Sequence, residues 1–203
     1  MKLHLMHFQP SSTVLGPYLR SIIWVQGCLK NCPGCIAQES HEIKKDDGVE
    51  VATILNWINE YPDNEGITIS GGEPFLQAKA LVMLVREVKK QAKGVIIYSG
   101  YTYNELVNKH DQDIDDLLNL TDLLIDGPFI EQLDNNEAGR GSTNQNIIFL
   151  TSRYQKDKAY FYQERQANIY IDGNKYIMEG IPSEEDKILY EAIIRSEEHT
   201  SEL

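Results

Sequence analysis

Four short apolar runs, each halted by glycine, constrain most strongly what this chain can fold into. Ser21-Ile22-Ile23-Trp24-Val25-Gln26 stops at Gly27. Ile67-Thr68-Ile69-Ser70 runs into Gly71-Gly72. Val95-Ile96-Ile97-Tyr98 meets Ser99-Gly100, and Thr121 to Ile125 meets Asp126-Gly127-Pro128. Continuous runs of this length suit strands buried on both faces. Between them the apolar spacing turns helical. Val51, Ile54, Leu55 and Ile58 share one face, as do Leu81, Leu84, Val85 and Val88. Asn104 to about Leu120 holds one or two further helices, with Ile114, Leu117 and Leu118 on one side. Strands alternating with helices predict an α/β fold, a parallel sheet with helical crossovers. At 203 residues the chain is too short for a complete eight-fold β/α barrel, which needs roughly 250.

After Pro128 the pattern changes. Glu131 to Asn146 is polar and reads as a loop, and Ile147 to Leu150 as another strand. Ile169-Tyr170-Ile171 and Lys175 to Met178 flank Asp172-Gly173-Asn174, a hairpin signal. Pro182 precedes Ser183-Glu184-Glu185, which reads as a helix start. The reading divides the chain into 1–150, an extension over 151–194, and a tail over 195–203 that resembles translated sequencing adapter and is set apart from the fold.

The charge of −12 disfavours a non-specific nucleic-acid binder, which needs a basic surface. No apolar stretch is long enough to span a membrane, and Met1-Lys2-Leu3-His4 opens no secretory signal. All three cysteines, Cys28, Cys32 and Cys35, fall within eight residues. A disulfide framework would use an even, dispersed set, so this cluster reads as a metal or iron–sulfur site in a reducing, cytoplasmic setting.

A cubane cluster usually takes four thiolates. Three leave one iron open to a ligand that is not protein. The alternative at this point is a structural Cys3His zinc site with His41 as fourth ligand. Gly71-Gly72-Glu73-Pro74 follows a strand. Its glycines let backbone approach a ligand closely, and Glu73 can accept hydrogen bonds from an amine. The alternative there is an ordinary tight turn. Cysteine loop, Gly-Gly-Glu turn and Asp126-Gly127 all sit at the carboxyl ends of predicted parallel strands, where such sheets place their sites.

With those residues in view, the chain resembles the radical S-adenosylmethionine superfamily. More narrowly, Trp24-Val-Gln-Gly-Cys28-Leu-Lys-Asn-Cys32-Pro-Gly-Cys35 resembles the activating proteins of anaerobic ribonucleoside-triphosphate reductases. So do Ser70-Gly-Gly-Glu-Pro74, Tyr98-Ser-Gly-Tyr-Thr102 with Glu105-Leu106, Leu124-Ile-Asp-Gly-Pro-Phe129 and Arg140-Gly-Ser-Thr-Asn-Gln145. The likeness runs from about Gly16 to Leu150.

The resemblance implies an incomplete parallel β/α barrel over 1–150, to which the residues themselves add a small hairpin-and-helix extension over 151–194. It implies that Cys28, Cys32 and Cys35 hold a [4Fe–4S] cluster whose open iron is chelated by S-adenosylmethionine. Gly71, Gly72 and Glu73 would border the methionine amino group. Gly34, Cys35 and Ile36 would lie against adenine, with Asp126 and Ser99 as polar contacts. It also implies a glycyl-radical enzyme as protein substrate and a flavodoxin- or ferredoxin-type electron donor, while the charge and the lack of a long apolar stretch argue against nucleic acid or membrane as partner. A different peptide or small-molecule substrate, or a non-catalytic iron–sulfur or zinc module, are the alternative readings.

Two departures stand out. Gly34 and Ile36 flank Cys35 where many superfamily members carry aromatics, so adenine stacking is weaker or comes from Trp24 or Tyr101, with core packing preferred for Trp24. The extension has no counterpart in minimal activating proteins. Arg140 to Gln145 reads evenly as a cap on the site or as a hydrogen-bonded turn.

Overall fold

The computed structural model describes residues 1–44, 48–172 and 175–200. In chain order the strands and α-helices are β1 (Lys2–Leu3), β2 (Leu5–Ser12), β3 (Arg20–Val25), β4 (Val49–Glu50), α1 (Val51–Asn59), β5 (Gly66–Gly71), α2 (Ala78–Lys90), β6 (Gly94–Ser99), α3 (Tyr103–Val107), α4 (Gln112–Leu120), β7 (Leu123–Asp126), β8 (Asn146–Phe149), β9 (Ala167–Asp172), β10 (Lys175–Gly180) and α5 (Glu184–Thr200).

Six strands form one sheet in the order β2-β3-β5-β6-β7-β8. The four apolar runs are its parallel centre, β3, β5, β6 and β7. Both edges are antiparallel: β2 against β3, and β8 against β7. The sheet is therefore mixed, with a parallel core. β2 gave no strand signal because its apolar residues, Leu5, Met6 and Phe8, neither alternate cleanly nor form a continuous run, and it contains Pro10. Its ladder to β3 slips between Gln9 and Ser12, around that proline. An edge strand tolerates this and a central one would not.

The two sheet faces are covered differently. Ile23, Val25, Ile67, Ile69, Val95, Ile97 and Leu124 pack on the apolar faces of α1, α2 and α4 in the main core. The residues between them point the other way, as strand alternation requires. On that second face Ile96, Leu123 and Ile125 pack on Tyr154 and Phe161, while Ile22 and Trp24 pack on Val14 and Leu15. The extension thus fills the face that the helices leave open, and both-sided burial explains the uninterrupted apolar runs.

The extension is tied down below the sheet. Arg20 is fully buried and donates to Thr68 Oγ1 at 2.7 Å, to the Pro17 and Ile67 carbonyls, and to the Tyr154 hydroxyl at 2.9 Å. Residues 155–162 wind as a 3-10 helix that sequence periodicity did not announce. β9 and β10 pair antiparallel. Gly173 and Asn174, read as their turn, lie outside the described residues. The backbone of α5 continues to Thr200, into the segment set apart in the sequence, and 201–203 lie outside the description. No helix among the described residues is long and apolar enough to cross a membrane.

Candidate active site

The cysteine loop begins where β3 ends, and hydrogen bonds hold its two ends together. The Gly27 and Cys28 amides donate to the Ser40 and His41 carbonyls at 2.7 and 3.1 Å. Gln26 Nε2 donates to the Glu39 and Glu42 carbonyls. Gly27 and Gly34 take positive φ, +99° and +71°, conformations that favour glycine. All three cysteines are free and half-buried, and they line one cleft. Burial pushes the Cys28 and Cys35 thiols above their usual range, offset in part by the Lys30 and Ala37 amides. His41 also lines this cleft. Among the described residues no three Cys, His, Asp or Glu side chains converge to hold a single ion. Three soft sulfur donors around a common space form a set that fits an iron–sulfur cluster.

The Gly71-Gly72 turn lies directly against this loop. A Cβ on Gly72 would stand 2.3 Å from the Gly27 carbonyl oxygen, and one on Gly71 2.6 Å from the Val25 backbone. The Gly72 and Glu73 amides donate to the Val25 and Gly27 carbonyls, both at 2.8 Å. The close approach that demands glycine here is chain against chain, and it locks the start of the cysteine loop to the end of β5.

Glu73 lines the cleft but is only 1% exposed. Its carboxylate accepts from the Phe75 amide at 3.0 Å, the Gly100 amide at 2.8 Å, and the Ser99 hydroxyl. Burial pushes its carboxyl up to about 7, against the opposing pull of those bonds and the Lys30 charge.

Gly34, Cys35, Ile36, Gly71, Gly72, Glu73 and Ser99 all border the cleft. Asp126 sits beside it. Its Oδ2 accepts from the Tyr103 amide at 2.5 Å and its Oδ1 from the Asn146 side chain at 2.7 Å, so this carboxylate clasps α3 and β8 to the end of β7. Gly127 is the neighbour that lines the cleft. Trp24 is buried in the second-face core. The Tyr101 ring already has the Lys30 and Lys109 ammoniums at 4.1 and 4.2 Å from its centroid.

Arg140 to Gln145 forms a hydrogen-bonded turn. Arg140 donates to Glu137 and to the Thr143 and Gln145 carbonyls, and Gln145 bridges the Gly141 amide and the Gly127 carbonyl. Gly141 and Gln145 line the cleft, so the turn also forms part of its wall.

Sequence reasoning missed Tyr98 as a lining residue, together with Arg165, Ile181, Pro182 and Lys187 from the extension. Strand alternation could have exposed Tyr98, an even-numbered neighbour of Ile96. Arg165 had no local signal, because its partners lie between 17 and 31 positions away in sequence.

Comparison with known proteins places the chain among iron–sulfur activating proteins. The family model described as a 4Fe-4S single cluster domain matches residues 14–148. The anaerobic ribonucleoside-triphosphate reductase-activating protein of Escherichia coli K12 is 30% identical over 152 residues, 70% of this chain and 96% of that protein. Its namesake from Vibrio cholerae is 33% identical over 153 residues, 71% of this chain and 96% of the relative. The pyruvate formate-lyase 1-activating enzyme of E. coli K12 is 27% identical over 169 residues, 81% of this chain but 64% of that enzyme.

Proposed function

This chain belongs to the 4Fe–4S single-cluster family, in its branch of radical S-adenosylmethionine activating proteins, and from that membership we propose that it activates a glycyl-radical enzyme, an anaerobic ribonucleoside-triphosphate reductase. Its cofactors are a [4Fe–4S] cluster and S-adenosylmethionine. The observation that carries the reading is the meeting of three thiols and the Gly71-Gly72-Glu73 turn on one cleft. A passive cluster carrier does not need a buried carboxylate and glycine-rich rim beside its thiols.

In this reading Cys28, Cys32 and Cys35 hold the cluster. When bound, the cluster would supply the electron for reductive cleavage of S-adenosylmethionine, and through it the radical chemistry that removes a hydrogen atom from a glycine Cα of the partner. The protein's own work is positional. Glu73, steadied by Ser99 and the Gly100 amide, presents an acceptor to the methionine amino group. Gly34, Cys35 and Ile36 give adenine a small, flat wall. Asp126 keeps the tips of β7, β8 and α3 in register, so that Gly127 backs the cleft. The open sheet, read as a partial barrel, leaves a mouth for a glycine loop. A flavodoxin- or ferredoxin-type protein supplies the electron in the cytoplasm.

Anaerobic reconstitution tests this. The protein should take up about four irons and four sulfides, and Cys32→Ala should abolish uptake. Adding S-adenosylmethionine should change the spectrum of the reduced protein. A reductase deuterated at its radical glycine should pass deuterium into 5′-deoxyadenosine. A colourless protein holding one zinc ion would overturn the reading.

A further inference from the structure

Phe129 lies three residues beyond the end of β7, lines the cleft and is half-buried. Among the described residues it belongs to none of the three apolar cores, and no other aromatic ring packs on it. The Arg140–Gln145 turn holds it instead. Gln145 Nε2 donates to the Gly127 carbonyl and Asn144 Nδ2 to the Pro128 carbonyl, both at 2.8 Å, and the Ile130 amide donates to the buried Ser142 hydroxyl at 3.1 Å. The backbone is thus pinned on both sides of Phe129. Gly141 lies against the ring itself: a Cβ there would stand 2.9 Å from Cδ2 and 3.3 Å from Cε2. Gly141 is not among the glycines with positive φ, so its missing side chain makes room for the ring rather than for an unusual backbone.

The segment that carries Phe129 also reaches the cysteine loop. A Cβ on Gly34 would stand 2.8 Å from Glu131 Cδ, so the chain two residues on from Phe129 crosses the wall formed by Gly34, Cys35 and Ile36. That wall offers no ring of its own. Trp24 is buried in the second-face core, and the Tyr101 ring is taken up by two ammoniums. Of the two phenyl-type rings that line the cleft, Tyr98 packs between the second-face cores, which leaves Phe129. A flat heteroaromatic base packs best on another ring, and a ring already fixed by its surroundings loses little freedom when the ligand binds. We propose that Phe129 supplies the aromatic face on which the adenine of S-adenosylmethionine packs, with the Arg140–Gln145 turn as its backing. This rests on the cofactor reading above, and it gives that turn a task that neither the thiols nor Glu73 accounts for.

The test titrates S-adenosylmethionine into reconstituted protein whose cluster is kept oxidised, so that nothing is cleaved, and measures the heat of binding. Phe129→Leu keeps apolar bulk and removes the ring. Its dissociation constant should rise roughly three- to tenfold, as for loss of one aromatic contact. Phe129→Tyr keeps the ring and should stay within about twofold of wild type. Iron bound per chain, and the melting temperature of the cluster-free protein, should stay close to wild type in both variants, because the ring belongs to no core. An unchanged dissociation constant in Phe129→Leu overturns the proposal. So does equal weakening in Phe129→Tyr, or weaker binding accompanied by loss of iron and a lowered melting temperature, which would make the ring structural. Wild-type protein that takes up about four irons yet binds no S-adenosylmethionine would overturn the cofactor reading itself, and that failure is visible before any variant is made.

Discussion

The Ser99 hydroxyl lies 3.0 and 3.1 Å from the two carboxylate oxygens of Glu73, and joins the end of β6 to the turn after β5. Burial is the largest influence on this carboxyl and pushes it to about 7 from 4.5. A carboxyl raised on folding contributes stability that is present in full below about 4.5 and is lost as pH rises through about 7. Glu73→Gln removes that titration. Unfolding of cluster-free protein by urea should therefore show the variant gaining on wild type between pH 5 and pH 8, by about 2–3 kcal/mol at 1.36 kcal/mol per unit. Any bond that glutamine cannot make offsets both ends of the range equally. Parallel stability curves would show that Glu73 titrates like an exposed carboxyl.

Gly72 is the tightest point between the turn and the cysteine loop. An added Cβ meets the Gly27 carbonyl oxygen at 2.3 Å, a backbone atom that cannot rotate aside. Gly72→Ala should push the loop away from β5, breaking the hydrogen bonds that the Gly72 and Glu73 amides donate to the Val25 and Gly27 carbonyls. The expected loss is about 2 kcal/mol or more of stability, together with a fall in iron bound per chain. Full iron uptake by a stable Gly72→Ala protein would mean the loop holds its shape without that lock.

The sheet centre and the thiol cluster were legible in the sequence because their signals are local. An apolar run such as Val95 to Tyr98 announces a strand, and Cys28-x3-Cys32-x2-Cys35 announces a metal-binding loop, without reference to distant residues. Residues that act across the fold carried no such mark. Arg165 sits in a polar stretch and gains its partners only after folding. Asp126 was visible as an acid at a strand end, but its pairing with Tyr103 and Asn146 depends on β8 returning antiparallel. Tyr154, just before a 3-10 stretch without α-helical period, and Phe161 within it gave no sign that they cover the second face of the sheet.

That covering makes the extension part of the core. Tyr154 is 1% exposed. Its hydroxyl accepts from Arg20 at 2.9 Å and donates to Glu65 at 2.7 Å. Tyr154→Phe should leave the Arg20 guanidinium short of a partner and cost about 1–3 kcal/mol. Tyr154→Ala should also open a cavity beside Ile96 and Leu123, for a total of about 3–5 kcal/mol. Chemical denaturation of the two variants separates these contributions. Near-wild-type stability in Tyr154→Ala would show that the extension merely rests on the sheet.

Arg165 organises the mouth of the cleft in the same way. Its side chain is 1% exposed and grips both oxygens of Asp134, at 2.7 and 2.9 Å. It also donates to the Arg140 and Gly141 carbonyls at 3.0 and 2.7 Å and to that of Pro182 at 3.3 Å. Three chain segments thus share one planar cation. Arg165→Met would leave several carbonyls without a donor and Asp134, itself exposed, without its guanidinium partner, a loss of about 1–3 kcal/mol. Arg165→Lys should recover less than half of this, because an ammonium cannot match the forked geometry. Limited proteolysis should find new cuts in both variants between Glu131 and Gln145, where the loop loses its anchor. If Arg165→Lys matches wild type in melting temperature and in cleavage pattern, the charge alone suffices and the forked bonding is not what closes the mouth.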